Sequence, residues 1–275
     1  MPTETIRLRE ASLVIDDGVA EFTHERPESR NALSLGLRAD YAEMLDHVER
    51  NREVRALILT GSGGSFCAGG DLKSLREARA NPEAGSPDAI RRRLADGHVW
   101  MQRLRNLEMP VIAAVDGPAV GAGFSIALAA DFMLASTRAI FCMSFVKVGL
   151  VPDLGAAYLL PRVIGLSAAK ELAMTARRVD VQEAKALGIV HAIHAPDALA
   201  DESRRFARRF IAGPREALGL TKRLLNQSFE AHYAPLAEYE SAAQAVASSA
   251  RYHGAAVDAF LEGRAAPYDW ERSGR

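Results

Sequence analysis

The sequence predicts an α/β protein with parallel strands and a separate helical C-terminal region. Residues 55–61 (RALILTG) and 111–117 (VIAAVDG) are continuous apolar runs, as expected of strands buried on both faces. Each passes through a small-residue loop into a helical pattern, at residues 55–76 and again at 111–130. Such alternation belongs to parallel strands joined by helices. After Pro161 strands nearly stop and helical patterns follow one another. The expected division is a core over residues 1–205 and a helical region over 206–275. The strand–loop–helix unit recurs without a fixed period, so it is not a solenoid repeat.

Taken in order, residues 12–25 (SLVIDDGVAEFTHE) predict two strands around Asp16-Asp17-Gly18, because Asp-Gly between apolar runs signals a hairpin. Residues 26–33 (RPESRNAL) form a polar loop. Ser34 then caps a helix to about residue 52, with Leu37, Tyr41, Met44, Leu45 and Val48 on one face. The strand at 55–61 leads through GSGGSFCAGGDL into a short helix. Residues 78–89 (ARANPEAGSPDA) are polar and turn-rich, so a mobile loop and candidate lid is expected there. A helix covers 90–107 until Pro110 stops it. Residues 118–130 (PAVGAGFSIALAA) begin glycine-rich and end helical, and 132–136 and 139–143 are strand-like. Further helices are expected at 167–176, 180–188, 197–211, 214–229 and 234–262, with Asp180 and Glu183 spaced as a capping box.

The chain has 275 residues, 48% of them apolar, enough to bury one substantial core. Lys and Arg total 34 against 35 Asp and Glu, a balance that does not invite nucleic acid. Two distant cysteines, Cys67 and Cys142, make neither a disulfide framework nor a zinc knuckle, and suit a reducing cytoplasm. The N-terminus (MPTETIRLREASLV) has no apolar secretory segment. The most apolar run, 118–130, is shorter than the roughly 20 residues of a membrane span. A soluble cytoplasmic protein without a membrane partner is expected.

The two glycine loops have a chemistry of their own. The first N–H groups of a helix lack intrahelical partners and lie at the positive end of its dipole. They favour an anion, or a carbonyl oxygen that becomes one, and small residues let it approach the backbone. Taken singly, either loop reads as a tight turn. Gly64 and Gly69 have P-loop spacing, but Gly70 stands where that motif requires lysine. GAGFSI lacks the third glycine of a dinucleotide fingerprint, Ile126 standing in its place.

Taken together they are more specific. RPESRNALS (26–34), GSFCAGGDL (64–72), AAVDGPAVGAGFSIALAADFMLAS (113–136), FVKVGLVPDLGAAYLLPRVIG (145–165) and AFLEGR (259–264) follow in order along nearly the whole chain. In these stretches the sequence resembles the crotonase, or enoyl-CoA hydratase/isomerase, superfamily. The resemblance implies a ββα spiral core with C-terminal helices that assemble trimers, or hexamers made of trimers. It implies an acyl-CoA thioester as substrate, with coenzyme A part of that substrate and no separate cofactor. It places an oxyanion hole at the backbone N–H groups of Gly70 and Ala122. The family commonly has glycine at the second position, and alanine keeps the N–H. The resemblance also sets Arg30, Ala32, Ala68, Asp71 and Leu72 along the CoA site, with Arg30 as a phosphate or ribose contact. Asp71 reads equally as a helix cap. Phe124, Ser125 and Phe145 fall at the acyl pocket, and Met143 and Tyr158 add apolar surface.

One departure bears on the chemistry. Family hydratases use two glutamates to handle the added water; Ser125 and Phe145 stand at those positions, so that mechanism lacks its acid and base. Asp153 in GLVPDLGAAYLLPR is the carboxylate that remains. In family isomerases a matching Asp moves a proton, and GLVPD with a non-acidic residue at the first glutamate position resembles the ring-opening isomerases of phenylacetate breakdown. Asp153 also reads as a helix cap. A base in an apolar pocket has a raised pKa, whereas a cap needs none.

The expected activity is therefore an enoyl-CoA isomerase that shifts a double bond or assists epoxide opening, with Asp153 as proton shuttle. A hydratase of fatty-acid or aromatic-acid degradation, with displaced acids at Asp131, Glu171 or Glu183, is a second reading. A non-catalytic acyl-CoA- or RNA-binding protein is a third, resting on the arginine runs at 91–93 and 204–209, which at helical spacing also read as solvated faces. His191 and His194 have no Cys or Glu partner nearby in sequence, so no metal site is expected. Cys67 has no nearby histidine and reads as packing. Ala217, Leu220, Leu224 and Leu225 fit one apolar helix face.

Overall fold

The computed structural model describes residues 3–271. The chain opens with an antiparallel meander of β1 (Glu4–Arg7), β2 (Ala11–Asp16) and β3 (Val19–His24), turning at Asp17-Gly18 as the hairpin signal predicts. A short 3-10 turn (Pro27–Ser29) leads to α1 (Leu35–Arg50), capped by Ser34, whose Oγ accepts from the Leu37 N–H at 3.0 Å. Its predicted apolar face is buried in the core. β4 (Ala56–Gly61) pairs parallel with β3, and α2 (Leu72–Ala80) and α3 (Pro87–Asn106) follow.

From here the chain alternates between two sheets. β5 (Val111–Val115) joins the large sheet and β6 (Pro118–Val120) the small one; α4 (Ala122–Leu128) then leads back to β7 (Phe132–Ser136) in the large sheet and β8 (Ile140–Cys142) in the small. Beyond a 3-10 turn at Ser144–Val148 come α5 (Ala156–Ile164) and α6 (Leu166–Thr175). β9 (Val179–Asp180) completes the small sheet, and β10 (Ala192–His194), after α7 (Val181–Ala186), completes the large one. The large sheet runs β1-β2-β3-β4-β5-β7-β10 and is parallel from β3 onward; the small sheet runs β6-β8-β9. Repeated passage from one sheet to the other winds the core into the expected spiral.

The last helices are α8 (Leu199–Arg208), α9 (Arg215–Gln227), α10 (Tyr233–Ser249) and α11 (Arg251–Leu261). The expected boundary after residue 205 cuts through α8. Leu199 and Ala207 of that helix pack on Val19, Ile58, Ile112 and Leu134 from the outer face of the large sheet. Phe206 and Phe210 lie 5.4 and 5.0 Å from the Trp270 ring, so the core extends past the predicted limit. The single helix expected at 234–262 breaks at Ala250, whose extended backbone separates α10 from α11.

The lid candidate at 78–89 is a turn at 81–86 between two helix ends: α2 runs to Ala80, and Ser86 caps α3. Asp180 caps α7 as predicted, but Glu183 bonds to Arg177 at 2.6 and 2.8 Å instead of completing the box. β1 and β6 had no signal, β1 being polar and exposed and β6 only three residues long. No helix among the described residues is long and apolar enough to cross a membrane.

Most of the arginines in the two runs are held in ion pairs. Arg91 and Arg92 pair with Asp88, Arg204 with Glu21 at 2.7 Å, and Arg208 with Asp16 at 3.5 Å.

A polar chain threads the core at the end of β3. His24 is fully buried, its Nδ1 2.9 Å from the Phe66 carbonyl oxygen and its Nε2 2.7 Å from the Tyr41 hydroxyl. A carbonyl only accepts, so Nδ1–H donates and Nε2 accepts from Tyr41. Tyr41 stacks on Trp100 of α3 at 4.6 Å. Burial pushes the His24 pKa from 6.5 down to about 4, against the pull of the Phe66 bond. Between these two values the unfolded chain binds a proton that the folded one refuses. Stability contributed by neutral His24 is therefore full above about pH 6.5 and falls by roughly 3 kcal/mol as pH drops to about 4. Urea unfolding midpoints across this window should show the decline, and His24→Gln should flatten it.

Candidate active site

The loop after β4 lies alongside β6. The Cys67 N–H donates to the Pro118 carbonyl and the Val120 N–H to the Cys67 carbonyl, both at 3.0 Å, a parallel bridge that pairs Cys67 with Ala119. Three residues beyond the bridge on either segment stand Gly70 and Ala122, the latter the first residue of α4. Neither of these N–H groups has a hydrogen-bond acceptor among the described residues. For Ala122 that follows from its place in the first turn, where intrahelical acceptors are lacking. Two glycines allow the approach. A Cβ on Gly123 would sit 2.2 Å from the Cys67 carbonyl oxygen, and one on Gly69, at φ 99°, would sit 2.8 Å from the Val120 oxygen and 3.8 Å from the Ala122 nitrogen. The glycines thus let the two loops approach each other closely.

The other side of the loop is held by the polar segment before α1. Ala68 N–H donates to the Arg30 carbonyl at 2.9 Å and Leu33 N–H to the Gly69 carbonyl at 2.7 Å. Asn31, which the sequence reading did not single out, anchors this contact. It is fully buried at φ 55°; its Oδ1 accepts from the Arg26 N–H at 2.9 Å, and its Nδ2 donates to the Ser62 and Ser65 carbonyls at 2.9 and 2.6 Å. An asparagine in a polar loop both tolerates left-handed backbone and bonds to it, which is the signal available in sequence.

The predicted CoA residues lie on these same two segments. Arg30 is exposed, at φ 51°, and its guanidinium has no partner among the described residues. Ala32 and Ala68 flank it on the paired segments. Asp71 is a cap: it accepts from Lys73 N–H at 3.0 Å and Ser74 N–H at 3.3 Å and faces Arg26 at 3.4 Å. Partial burial pushes its carboxyl up, but these bonds outweigh it and hold the pKa below the ordinary value. Leu72 is exposed at the start of α2.

The acyl-pocket residues divide. Phe145 is buried with its ring tip 4.0 Å from the position of a Cβ on Gly121, closing over the start of α4. Ser125 is buried and its Oγ donates to the Gly121 carbonyl at 3.2 Å, so it is satisfied within its own helix. Phe124 packs on Phe141 at 5.3 Å inside the core, and Met143 is buried too. Tyr158 does not add to an apolar wall: its ring lies under the guanidinium groups of Arg162, at 3.5 Å, and Arg105, at 4.9 Å.

Asp153 stands out among the carboxylates. Its Oδ1 is buried with no hydrogen-bond partner. It is not the side-chain cap of α5; Gly155 occupies that position, and only the Asp153 carbonyl bonds to the helix, at Ala156 N–H. The next residue, Leu154, is fully buried at φ 49°. A leucine in left-handed backbone costs about 1–3 kcal/mol, so burial of its side chain holds this turn in place. Burial pushes the Asp153 pKa above the ordinary carboxylate value, with Arg38 and His98 pulling part of the way back. The alternative acids are occupied: Asp131 binds Lys222 at 2.7 Å, and Glu171 and Glu183 both clamp Arg177. Cys67 is fully buried and burial raises its thiol to about 11, which leaves it protonated and inert. His191 packs against Phe132 and Phe206, and His194 Nδ1 lies 3.9 Å from Glu202.

The model of the enoyl-CoA hydratase/isomerase family matches residues 14–271. The chain is 36% identical over 214 residues to 1,2-epoxyphenylacetyl-CoA isomerase of Escherichia coli (strain K12), covering 78% of this chain and 80% of that one. It is 32% identical over 247 residues to the short-chain-enoyl-CoA hydratase of Clostridium acetobutylicum, covering 90% and 92%. A crystal structure of an enoyl-CoA hydratase/isomerase from Cupriavidus metallidurans CH34 superposes with a TM-score of 0.91 at 37% identity, over 98% of each chain. With the spiral of two sheets, these matches establish that the chain belongs to the enoyl-CoA hydratase/isomerase family, within the crotonase superfamily.

Proposed function

We propose that the protein is an enoyl-CoA isomerase in which Asp153 moves the proton. The observation that carries this reading is the buried, unpartnered Asp153 Oδ1, in a chain that has Ser125 and Phe145 at the two positions where family hydratases carry glutamate. In the proposed step the Asp153 carboxylate removes a proton from the carbon next to the thioester of a β,γ-enoyl-CoA. The electron pair moves onto the thioester oxygen, where the Gly70 and Ala122 N–H groups hold the enolate. Asp153 then returns the proton to the γ carbon, and the double bond ends conjugated with the thioester. One such donor is worth about 2.7–4 kcal/mol in the transition state. The exposed, unpartnered Arg30 suits a phosphate of the CoA moiety.

The trimeric or hexameric assembly belongs to the same proposal. Leu225, Phe229, Tyr233, Phe260 and Leu261 on and between the C-terminal helices leave a broad apolar surface exposed. The two free, buried cysteines suit the proposed cytoplasmic location.

Asp153→Asn should lower turnover of a β,γ-enoyl-CoA by at least about 100-fold while its acyl-CoA affinity stays within about threefold. Full turnover in this variant would remove Asp153 from the mechanism, and brisk hydration of crotonyl-CoA by the native protein would favour the hydratase reading instead.

The base must be ionised to act. The acidic limb of kcat/KM should therefore lie above the ordinary carboxylate range, with activity rising as pH rises through it. Arg38→Met, which removes a stabilising positive charge, should move that limb further up; pH–rate profiles of the two proteins test the shift.

A further inference from the structure

Asp153 faces a cation that it does not bind. Arg38 lies in the first turn of α1, just past the bridge between Leu33 and Gly70, with its N–H bonded to the Ser34 carbonyl at 3.1 Å. Its Nη1 is buried and has no hydrogen-bond partner. That atom lies 3.3 Å from the place a Cβ would occupy on Gly97 of α3, and Leu154 Cδ2 lies 2.9 Å from the same point. Arg38 Nη1 and the Leu154 side chain thus meet at one spot on α3, and Asp153 is the residue before Leu154. The two charges influence each other, and Arg93 adds a further positive charge beside Arg38. Even so, Nη1 and Oδ1 stay unpaired, each buried and unsatisfied. Trp100, one turn on from Gly97, also buries an unpartnered Nε1–H.

A buried polar group left without a partner costs about 1–3 kcal/mol, and more when charged. Arg38 and Asp153 are half-buried, but the two facing atoms are buried and kept apart, which is poorly explained by stability because closing the gap would relieve both. A ligand oxygen that accepts from Arg38 Nη1 would satisfy the guanidinium, while the Asp153 carboxylate keeps its lone pair for the proton, and a hydroxyl can accept in this way. A plain alkyl chain would leave Nη1 unmet. The Phe145 side of the site would take the apolar part of the acyl group, and this polar end would take its oxygen.

We propose that Arg38 is a specificity-determining residue that binds an oxygen on the acyl group beyond the thioester, so that hydroxylated acyl-CoA thioesters are preferred to plain alkyl ones. The proposal rests on Asp153 lying in the acyl site, as in the reading above.

Isothermal titration of the full-length protein with butanoyl-, hexanoyl- and octanoyl-CoA and their ω-hydroxy counterparts tests it without any chemistry. At one chain length or more, the hydroxylated ligand should bind at least about tenfold more tightly than its parent. Arg38→Met should abolish that preference while leaving alkyl affinity in place, and Arg38→Gln, which keeps a donor, should retain part of it. Equal affinities at every chain length, or an equal loss for both ligand types in Arg38→Met, would overturn the proposal. Failure of every acyl-CoA to bind would overturn both this proposal and the functional reading. Full turnover in Asp153→Asn would sink the isomerase reading alone and leave the binding preference to be judged by itself.

Discussion

The parallel bridge between Cys67 and Ala119 is the contact on which the site depends. Two hydrogen bonds of 3.0 Å tie the loop after one strand to a strand of the other sheet. In the proposed oxyanion hole, the aim of Gly70 and Ala122 would follow from that registration. A shift of one residue would leave one N–H facing away from the other. The bridge also explains why the smallest residues stand at Gly69 and Gly123: a single added carbon at either would meet a backbone oxygen well inside van der Waals contact. The donors are free because of where they lie, one at the start of a helix and one at the end of a loop segment. No side chain is needed to create them.

The bridge would be of little use on a loose loop. Asn31 and His24 supply the rigidity from opposite sides, each bonding to carbonyls of the 62–66 segment. Both are buried polar groups whose bonding capacity is met, the condition under which such groups specify a structure rather than weaken it. His24 links this segment through Tyr41 and Trp100 to α1 and α3, so the helices over the site and the loop that forms it share one support.

The same helices bring Arg38 towards Asp153. The contrast with the remaining carboxylates is one of environment. Asp71 caps a helix and faces an arginine, and Asp131, Glu171 and Glu183 are held in ion pairs. Asp153 is half-buried beside the buried Leu154, its Oδ1 left without a donor, and kept near a cation it does not reach. A carboxylate so placed has a raised pKa and a free lone pair, the two properties that proton transfer asks of a base.

The sequence by itself determined the local units. Continuous apolar runs, the Asp-Gly hairpin, the Ser34 cap and the amphipathic face of α1 all depend on neighbours within a few residues, and each was legible. So were the two glycine loops and the absence of acids at positions 125 and 145, which are matters of order along the chain. The alternation between two sheets was invisible, because β6 and β9 are too short for any periodic signal and exist through pairing with β8. The limit of the core was misplaced for a similar reason: α8 is helical by its own pattern, but what it packs against is decided by distant strands. Only the tertiary structure separated Asp71, a cap, from Asp153, an orphan, and took Tyr158 out of the apolar wall. Asp is a good cap in any sequence. Whether its oxygens find N–H groups or a buried gap depends on segments such as residues 38 and 97, far off along the chain, and that encounter is set by packing alone.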